Sequence, residues 1–226
     1  YHTRSLAFLG RAYDKAGNYP LALKYYRLAA DKNDGMARLG LGFLHQDGAG
    51  VPQSDERALH FILLAASQDY PPAHFNLGQV YDLGRGVPQD HRESVKWYRK
   101  AAIQGYVSAQ FNLGVMYEGG RGTRQSDTEA VKWYRKAADQ GFAPAQFNLG
   151  VMYEGGRGTR QSATEALKWY RMAADQGYAS AQVNLGWMFK NGRGTQQNDT
   201  EAIKWFRKAA DQGDIIALEN LRLMGE

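Results

Sequence analysis

Residues 109–144 read AQFNLGVMYEGGRGTRQSDTEAVKWYRKAADQGFAP, and residues 145–180 read AQFNLGVMYEGGRGTRQSATEALKWYRMAADQGYAS. The stretches differ only at Asp127/Ala163, Val131/Leu167, Lys136/Met172, Phe142/Tyr178 and Pro144/Ser180. Outward from this pair, Leu-Gly recurs at Leu9-Gly10, Leu41-Gly42, Leu77-Gly78, Leu113-Gly114, Leu149-Gly150 and Leu185-Gly186, with a step of 32 first and 36 thereafter. A fixed period of this length marks a stacked-repeat array, in which each unit touches only its neighbours.

Within one copy, Ala109, Leu113, Met116 and Tyr117 fall at helical spacing and Gly119-Gly120 ends the pattern, which predicts a first short helix. Glycine at a helix end supplies left-handed backbone, so Gly119, Gly120 and Gly122 are explained without a ligand. Ser126 followed by Glu129 has capping-box spacing, as do Ser162/Glu165, Asp90/Glu93 and Asn198/Glu201, and a second helix is expected to open there. In it Ala130, Trp133, Tyr134, Ala137 and Ala138 form an apolar stripe, while Lys132, Arg135 and Lys136 can face water. Small residues such as Gly114, Ala137 and Ala138 are expected to let backbones approach. The aromatic rings would bury area against the next unit, and Trp133→Ala would then cost about 3 to 5 kcal/mol.

The expected fold class is an all-α solenoid of antiparallel helix pairs, one domain over residues 1–226. Its units are 3–36, which is short, then 37–72, 73–108, 109–144, 145–180 and 181–216; residues 217–226 form a C-terminal capping helix in which Arg222 replaces the recurrent Gly. The chain holds 43% hydrophobic residues and only 6 Pro in 226, enough apolar material to order such an array nearly end to end. There is no Cys, which excludes disulfides, Cys-based zinc sites and thiol catalysis and leaves cytosol and periplasm both open. No apolar run reaches the roughly 18 to 20 residues of a transmembrane span. The chain starts at Tyr1 rather than Met, so removal of a leader or upstream region is expected.

The pattern A-x-x-N-L-G-x-x-Y-x-x-G-x-G, then A-x-x-W-Y-x-x-A-A-x-x-G, resembles the Sel-one-like repeat (SLR) family, a relative of the tetratricopeptide repeat. Ala109, Asn112, Leu113, Gly114, Tyr117, Gly120, Gly122, Ala130, Trp133, Tyr134, Ala137, Ala138 and Gly141 carry it, and with their counterparts they cover about residues 37 to 216. The first unit departs: Leu9, Gly10, Tyr13, Ala22, Tyr26 and Ala29 fit tetratricopeptide spacing. The second is degenerate, with His45, Phe61, Ile62 and Asp69 at the Tyr, Trp, Tyr and Gly positions. The resemblance implies a right-handed superhelix that is a scaffold or adaptor for a partner protein rather than an enzyme. Some bacterial members resemble inhibitors or immunity proteins that neutralise secreted toxins or hydrolases. It also implies a bacterial chain, placed in the periplasm or exported in preference to the cytoplasm.

By analogy with tetratricopeptide arrays, first helices line a concave face that would receive a helix, an extended segment or an enzyme surface of the partner. The positions one and two before Leu, two after it and five after it select Phe75, Asn76, Gln79 and Asp82; Phe111, Asn112, Val115 and Glu118; Phe147, Asn148, Val151 and Glu154; and Val183, Asn184, Trp187 and Lys190. The Asn row could hydrogen-bond a partner's backbone or satisfy groups between adjacent helices. The positions where copies disagree, Leu39, Phe43, Trp187 and Lys190, are the specificity candidates.

Other chemistries find less support. Lys-Trp-Tyr-Arg at Lys96, Lys132 and Lys168 interleaves cations and rings, but the rings fall on the buried stripe, so base stacking and nucleic-acid binding are not expected. The net charge of +5 is modest. Arg85, Arg121, Arg157 and Arg193 form a loop row, read as a solvated edge or as a basic edge for an acidic protein or lipid headgroups. The Gly-Arg-Gly loops lack the Gly-Lys-Ser/Thr ending of a phosphate cradle, so no nucleotide cofactor is expected. His2, His45, His60, His74 and His91 lack metal-ligand spacing, so no metal is expected either. No catalytic constellation can be assembled.

Overall fold

The computed structural model describes residues 2–225; Tyr1 and Glu226, which the expected span includes, lie outside the described residues, as does the His2 side chain. Among the described residues the chain is all-α, with thirteen helices and no strand. They are α1 (His2–Lys15), α2 (Tyr19–Ala30), α3 (Gly35–Asp47), α4 (Asp55–Ala66), α5 (Pro71–Leu83), α6 (His91–Ile103), α7 (Val107–Gly119), α8 (Asp127–Ala138), α9 (Ala143–Gly155), α10 (Ala163–Asp175), α11 (Ala179–Lys190), α12 (Asp199–Ala210) and α13 (Ile215–Leu223). The chain divides into two compact units.

The first unit runs to Ala109 and includes Arg121–Thr123. In it α1 packs on α2, α3 on α4 and α5 on α6, with α2 against α3 and α4 against α5 carrying the stack onward. The second unit holds Gln110–Gly120 and the chain from Arg124, and there α9 packs on α10 and α11 on α12, with α8, α10 and α12 meeting α9, α11 and α13.

The recurrent glycine has a different purpose from the one its size first suggests. A Cβ on Gly114 would stand 2.6 Å from the Tyr134 ring, and Gly78, Gly150 and Gly186 are pressed in the same way by Tyr98, Tyr170 and Phe206. Gly114 therefore admits a ring, where close approach of two backbones was expected. The rings it admits are fully buried. Trp133 is only half-buried, in contrast to the expected core position, whereas Trp169 and Trp205 are buried. Arg135 is not simply solvated: its guanidinium meets the Tyr153 hydroxyl and lies over the Trp169 ring.

The second helices open as expected on Asp90, Ser126, Ser162 and Asn198, whose side chains accept from the backbone N–H of Glu93, Glu129, Glu165 and Glu201. The reciprocal half of the capping box is replaced. The Ser126 N–H donates to the Tyr117 carbonyl at 2.9 Å, so Glu129 turns to Lys132, three residues on. Gly119 remains helical, and Gly120 and Gly122 alone take positive φ at that turn. Gly122 could accept no side chain in any case, because its Cβ would stand 2.0 Å from the His91 carbonyl oxygen.

Candidate partner-binding surface

In the second unit the candidate residues of the first helices form a repeated polar network. Glu118 accepts from the Tyr134 hydroxyl at 2.6 Å and from Arg157 at 2.8 Å; Asn148 completes the set by bonding the same phenol. One repeat later Glu154 takes the hydroxyl of Tyr170 at 2.7 Å and Arg193 at 2.7 Å, and Asn184 bonds Tyr170. Burial, then the hydrogen bond to the carboxylate, pushes both phenols far above their ordinary pKa, so they stay protonated donors.

Copies that lose one member do not keep the full set. Lys190 stands where the acid would be, and the facing ring is Phe206, which has no hydroxyl to donate. Asn220, next in the Asn row, then donates to the Ile216 carbonyl of its own helix at 2.7 Å. In the first unit Ile62 occupies the tyrosine position, and Asn76 likewise donates to the Pro72 carbonyl at 2.7 Å. Asp82 is held by His91 at 2.9 Å and Arg121 at 3.8 Å. The loop arginines 121, 157 and 193 thus close onto acids, where a solvated edge was one of the two expectations.

Phe75, Phe111 and Phe147 are half-buried, each between two rings: Tyr98 and Tyr106 at 5.7 and 5.1 Å, Tyr134 and Phe142 at 5.8 and 5.3 Å, Tyr170 and Tyr178 at 5.7 and 5.3 Å. Asn112, Val115, Val151 and Gln79 are half-buried and Val183 is buried. Leu39 is buried beside Ile62 and Leu77, with Phe43 packed at the edge of that cluster. Trp187 is 37% exposed, edge-on to Phe206, with Lys190 Nζ 4.9 Å from its ring centroid.

Two open pockets lie at the places where the copies disagree. In the second unit Glu154, Asn184, Trp187, Met188, Asn191 and Arg193 line about 250 Å³. In the first unit a pocket of about 440 Å³ brings together α1, α3 and α5, with Leu39, Phe43 and Asn76 in its wall. Gly40 and Tyr26 also line it, and neither was a candidate. The signal was available: Gly40 occupies the register position of Asn76, Asn112, Asn148 and Asn184. The Tyr26 ring lies against Gly40, and its hydroxyl donates to Asp14 at 3.3 Å.

A second ladder was missed because glutamine carries no motif of its own. Gln146 and Gln182 donate to the carbonyls of Ala138 and Ala174 and accept from Gln176 and Gln212 at 2.7 and 2.8 Å. His74 takes the same place in the first unit, with Nε2 3.1 Å from the Ala66 carbonyl. His45 and His60 flank the Phe61 ring and His91 holds Asp82. Among the described residues no group of three His, Asp or Glu is placed to hold a metal ion, and no helix is long and apolar enough to cross a membrane.

The family model described as Sel1 repeat matches residues 33–70, 71–106, 107–142, 143–178 and 179–214, and a tetratricopeptide-repeat model matches residues 5–35. Among solved structures, a Sel1 repeat protein from Oxalobacter formigenes is 32% identical over 96% of this chain and 86% of its own, with TM-score 0.86. A protective antigen of uropathogenic Escherichia coli displaying an SLR fold is 30% identical over 98% of this chain and 56% of its own, with TM-score 0.69. An immunity protein of Pseudomonas aeruginosa, 18% identical over 92% of this chain and 83% of its own with TM-score 0.59, shares the fold. Comparison with curated proteins returned no match.

Proposed function

This chain belongs to the Sel1 repeat family, an all-α solenoid of helix pairs whose members generally mediate protein–protein interaction, and on that premise we propose that it grips one partner protein through its first helices and catalyses no reaction. The observation that carries this reading is the division of labour between like and unlike copies. Where copies agree, Glu118, Tyr134, Asn148 and Arg157 satisfy one another and have little left for a ligand. Where they disagree, at Leu39, Gly40 and Phe43 and again at Trp187, the wall opens into pockets. A large ring held at a pocket rim is the kind of anchor that dominates protein interfaces.

The rows Phe75, Phe111, Phe147 and Asn76, Asn112, Asn148, Asn184, with the acids Asp82, Glu118 and Glu154, are read as part of that surface, Asn76 in the wall of the first pocket and Asn184 and Glu154 in that of the second. Capture on the immobilised chain, followed by mass spectrometry of what is retained, identifies the partner. Trp187→Ala or Phe43→Ala then weakens its retention, while Lys132→Glu and Lys168→Glu on the second helices leave it intact; the opposite pattern overturns the assignment. The narrower role of an inhibitor or immunity protein, the latter being the description of the Pseudomonas neighbour that shares the fold, would use the same surface and would rescue growth when the chain is co-expressed with a cognate secreted toxin.

A further inference from the structure

The pocket of the first unit lies where one side chain is missing and a second is cut back. In the second unit the phenol of Tyr134 receives Asn148, and that of Tyr170 receives Asn184, each Asn fourteen positions after its Tyr. Fourteen positions after Tyr26 stands Gly40, so no amide reaches that hydroxyl from α3. The aromatic two residues before Leu, Phe in three later copies, is here the smaller Leu39. Together these two replacements leave the cavity of about 440 Å³, floored by Gly40 and walled on its apolar side by Met36, Leu39 and Phe43.

Its other side is charged. Arg11, Asp14 and Lys15 of α1 line the opening, and Arg4 stands on the same side of that helix and acts with Arg11 on the charge of Tyr70. The nearby carboxylates are engaged: Asp14 accepts from the Tyr26 hydroxyl, and Asp34 caps α3 by accepting from the Ala37 N–H at 2.9 Å. None of Arg4, Arg11 and Lys15 forms an ion pair with a described residue, in contrast to Arg121, Arg157 and Arg193.

We infer that this pocket seats an acidic segment of the partner protein: one bulky apolar side chain enters over Met36, Leu39 and Phe43, and flanking carboxylates meet Arg4, Arg11 and Lys15. The inference rests on the protein-binding reading above. A backbone N–H of the segment supplies the donor that Gly40 lacks and points at the Tyr26 hydroxyl oxygen, as Asn148 and Asn184 do at Tyr134 and Tyr170 three and four repeats on. The apolar contact gives affinity, and the cations give orientation and a salt-dependent on-rate.

The test uses the full chain and short fluorescein-labelled peptides of Asp and Glu around a single central Leu, read by anisotropy. The acidic Leu peptide binds; replacing its Leu by Ala weakens binding about tenfold; and a Lys-for-acid version does not bind. An Arg11→Glu, Lys15→Glu double variant, altered only at exposed positions and checked for unchanged circular dichroism, loses about tenfold in affinity for the acidic peptide, and added salt removes the difference between variant and parent. Absence of binding to the parent chain, equal binding of the Lys version, or unchanged affinity of the double variant overturns the inference. If the partner retained by the immobilised chain still binds the double variant, the acidic-segment inference fails and the protein-binding reading stands; if second-helix changes alone release it, the first-helix reading fails as well.

Discussion

The hydroxyl of Tyr134 donates to the carboxylate of Glu118 at 2.6 Å across sixteen residues of chain, joining the second helix of a repeat to the end of its first. The bond is charge-assisted and partly buried, and Arg157 from the following loop holds the other side of the same carboxylate. A short polar chain therefore ties each regular repeat to the next, and Asn148 extends it.

Removing the acceptor costs more than removing the donor. Tyr134→Phe leaves Glu118 with Arg157 and is expected to destabilise by about 1 kcal/mol, since Phe206 already occupies the equivalent site in another copy. Glu118→Ala strands the buried phenol and is expected to cost about 1 to 3 kcal/mol. Urea unfolding followed by far-ultraviolet circular dichroism ranks the two, and a larger loss for Tyr134→Phe would contradict the assigned network.

Two glycines of one helix predict opposite outcomes. Gly150→Ala drives a Cβ to 2.6 Å from the Tyr170 ring and is expected to cost about 1 to 3 kcal/mol. Gly155, exposed at the last helical position with nothing nearer than the Arg157 side chain at 3.6 Å, tolerates Ala and gains up to about 1 kcal/mol. Thermal melts of the two variants decide the matter.

The tryptophans divide by burial although their motif is the same. Trp205→Ala empties a site only 5% exposed and is expected to cost about 3 to 5 kcal/mol. Trp133 is half-buried under the ammonium of Lys136, 4.5 Å from its ring centroid, so its replacement costs about 1 to 2 kcal/mol, below the figure the stripe implied. Comparable losses would show that exposure does not govern these sites.

His74 confers a pH dependence. Burial lowers its pKa below 6.5, outweighing the Ala66 carbonyl and the Asp69 carboxylate, while Lys100 pushes in the same direction as burial. The unfolded chain then takes up a proton that the folded chain resists. The contribution of neutral His74 is complete above about pH 6.5 and is lost as pH falls toward and through the lowered value. His74→Gln, which installs the residue of Gln110, Gln146 and Gln182, should flatten the fall in melting temperature between about pH 7 and pH 5. An unchanged pH profile in the variant would remove His74 as its source.

Much of the fold was legible because repetition states each rule several times. Ala, Leu and Tyr at helical spacing, Ser126 and Ser162 as caps and Gly120 as a stop are local signals, and the structure repeats them at each turn. The site was less legible. Leu39, Phe43, Trp187 and Lys190 stood out as departures from the copies, and pockets formed at the first three. Gly40 was a departure of the same kind, but a missing side chain has no chemistry of its own until the cavity it leaves can be seen.

By itself the sequence determined the period, the helix pairs and the register, because those depend on spacing along one chain. Only the tertiary structure decided what each repeated polar residue faces. Glu118, Tyr134, Asn148 and Arg157 lie on four different segments, and their distances depend on how helices stack rather than on any spacing between neighbours. The same stacking turns Gly114 into a seat for a ring and leaves Tyr26, facing Gly40, with an open pocket beside it.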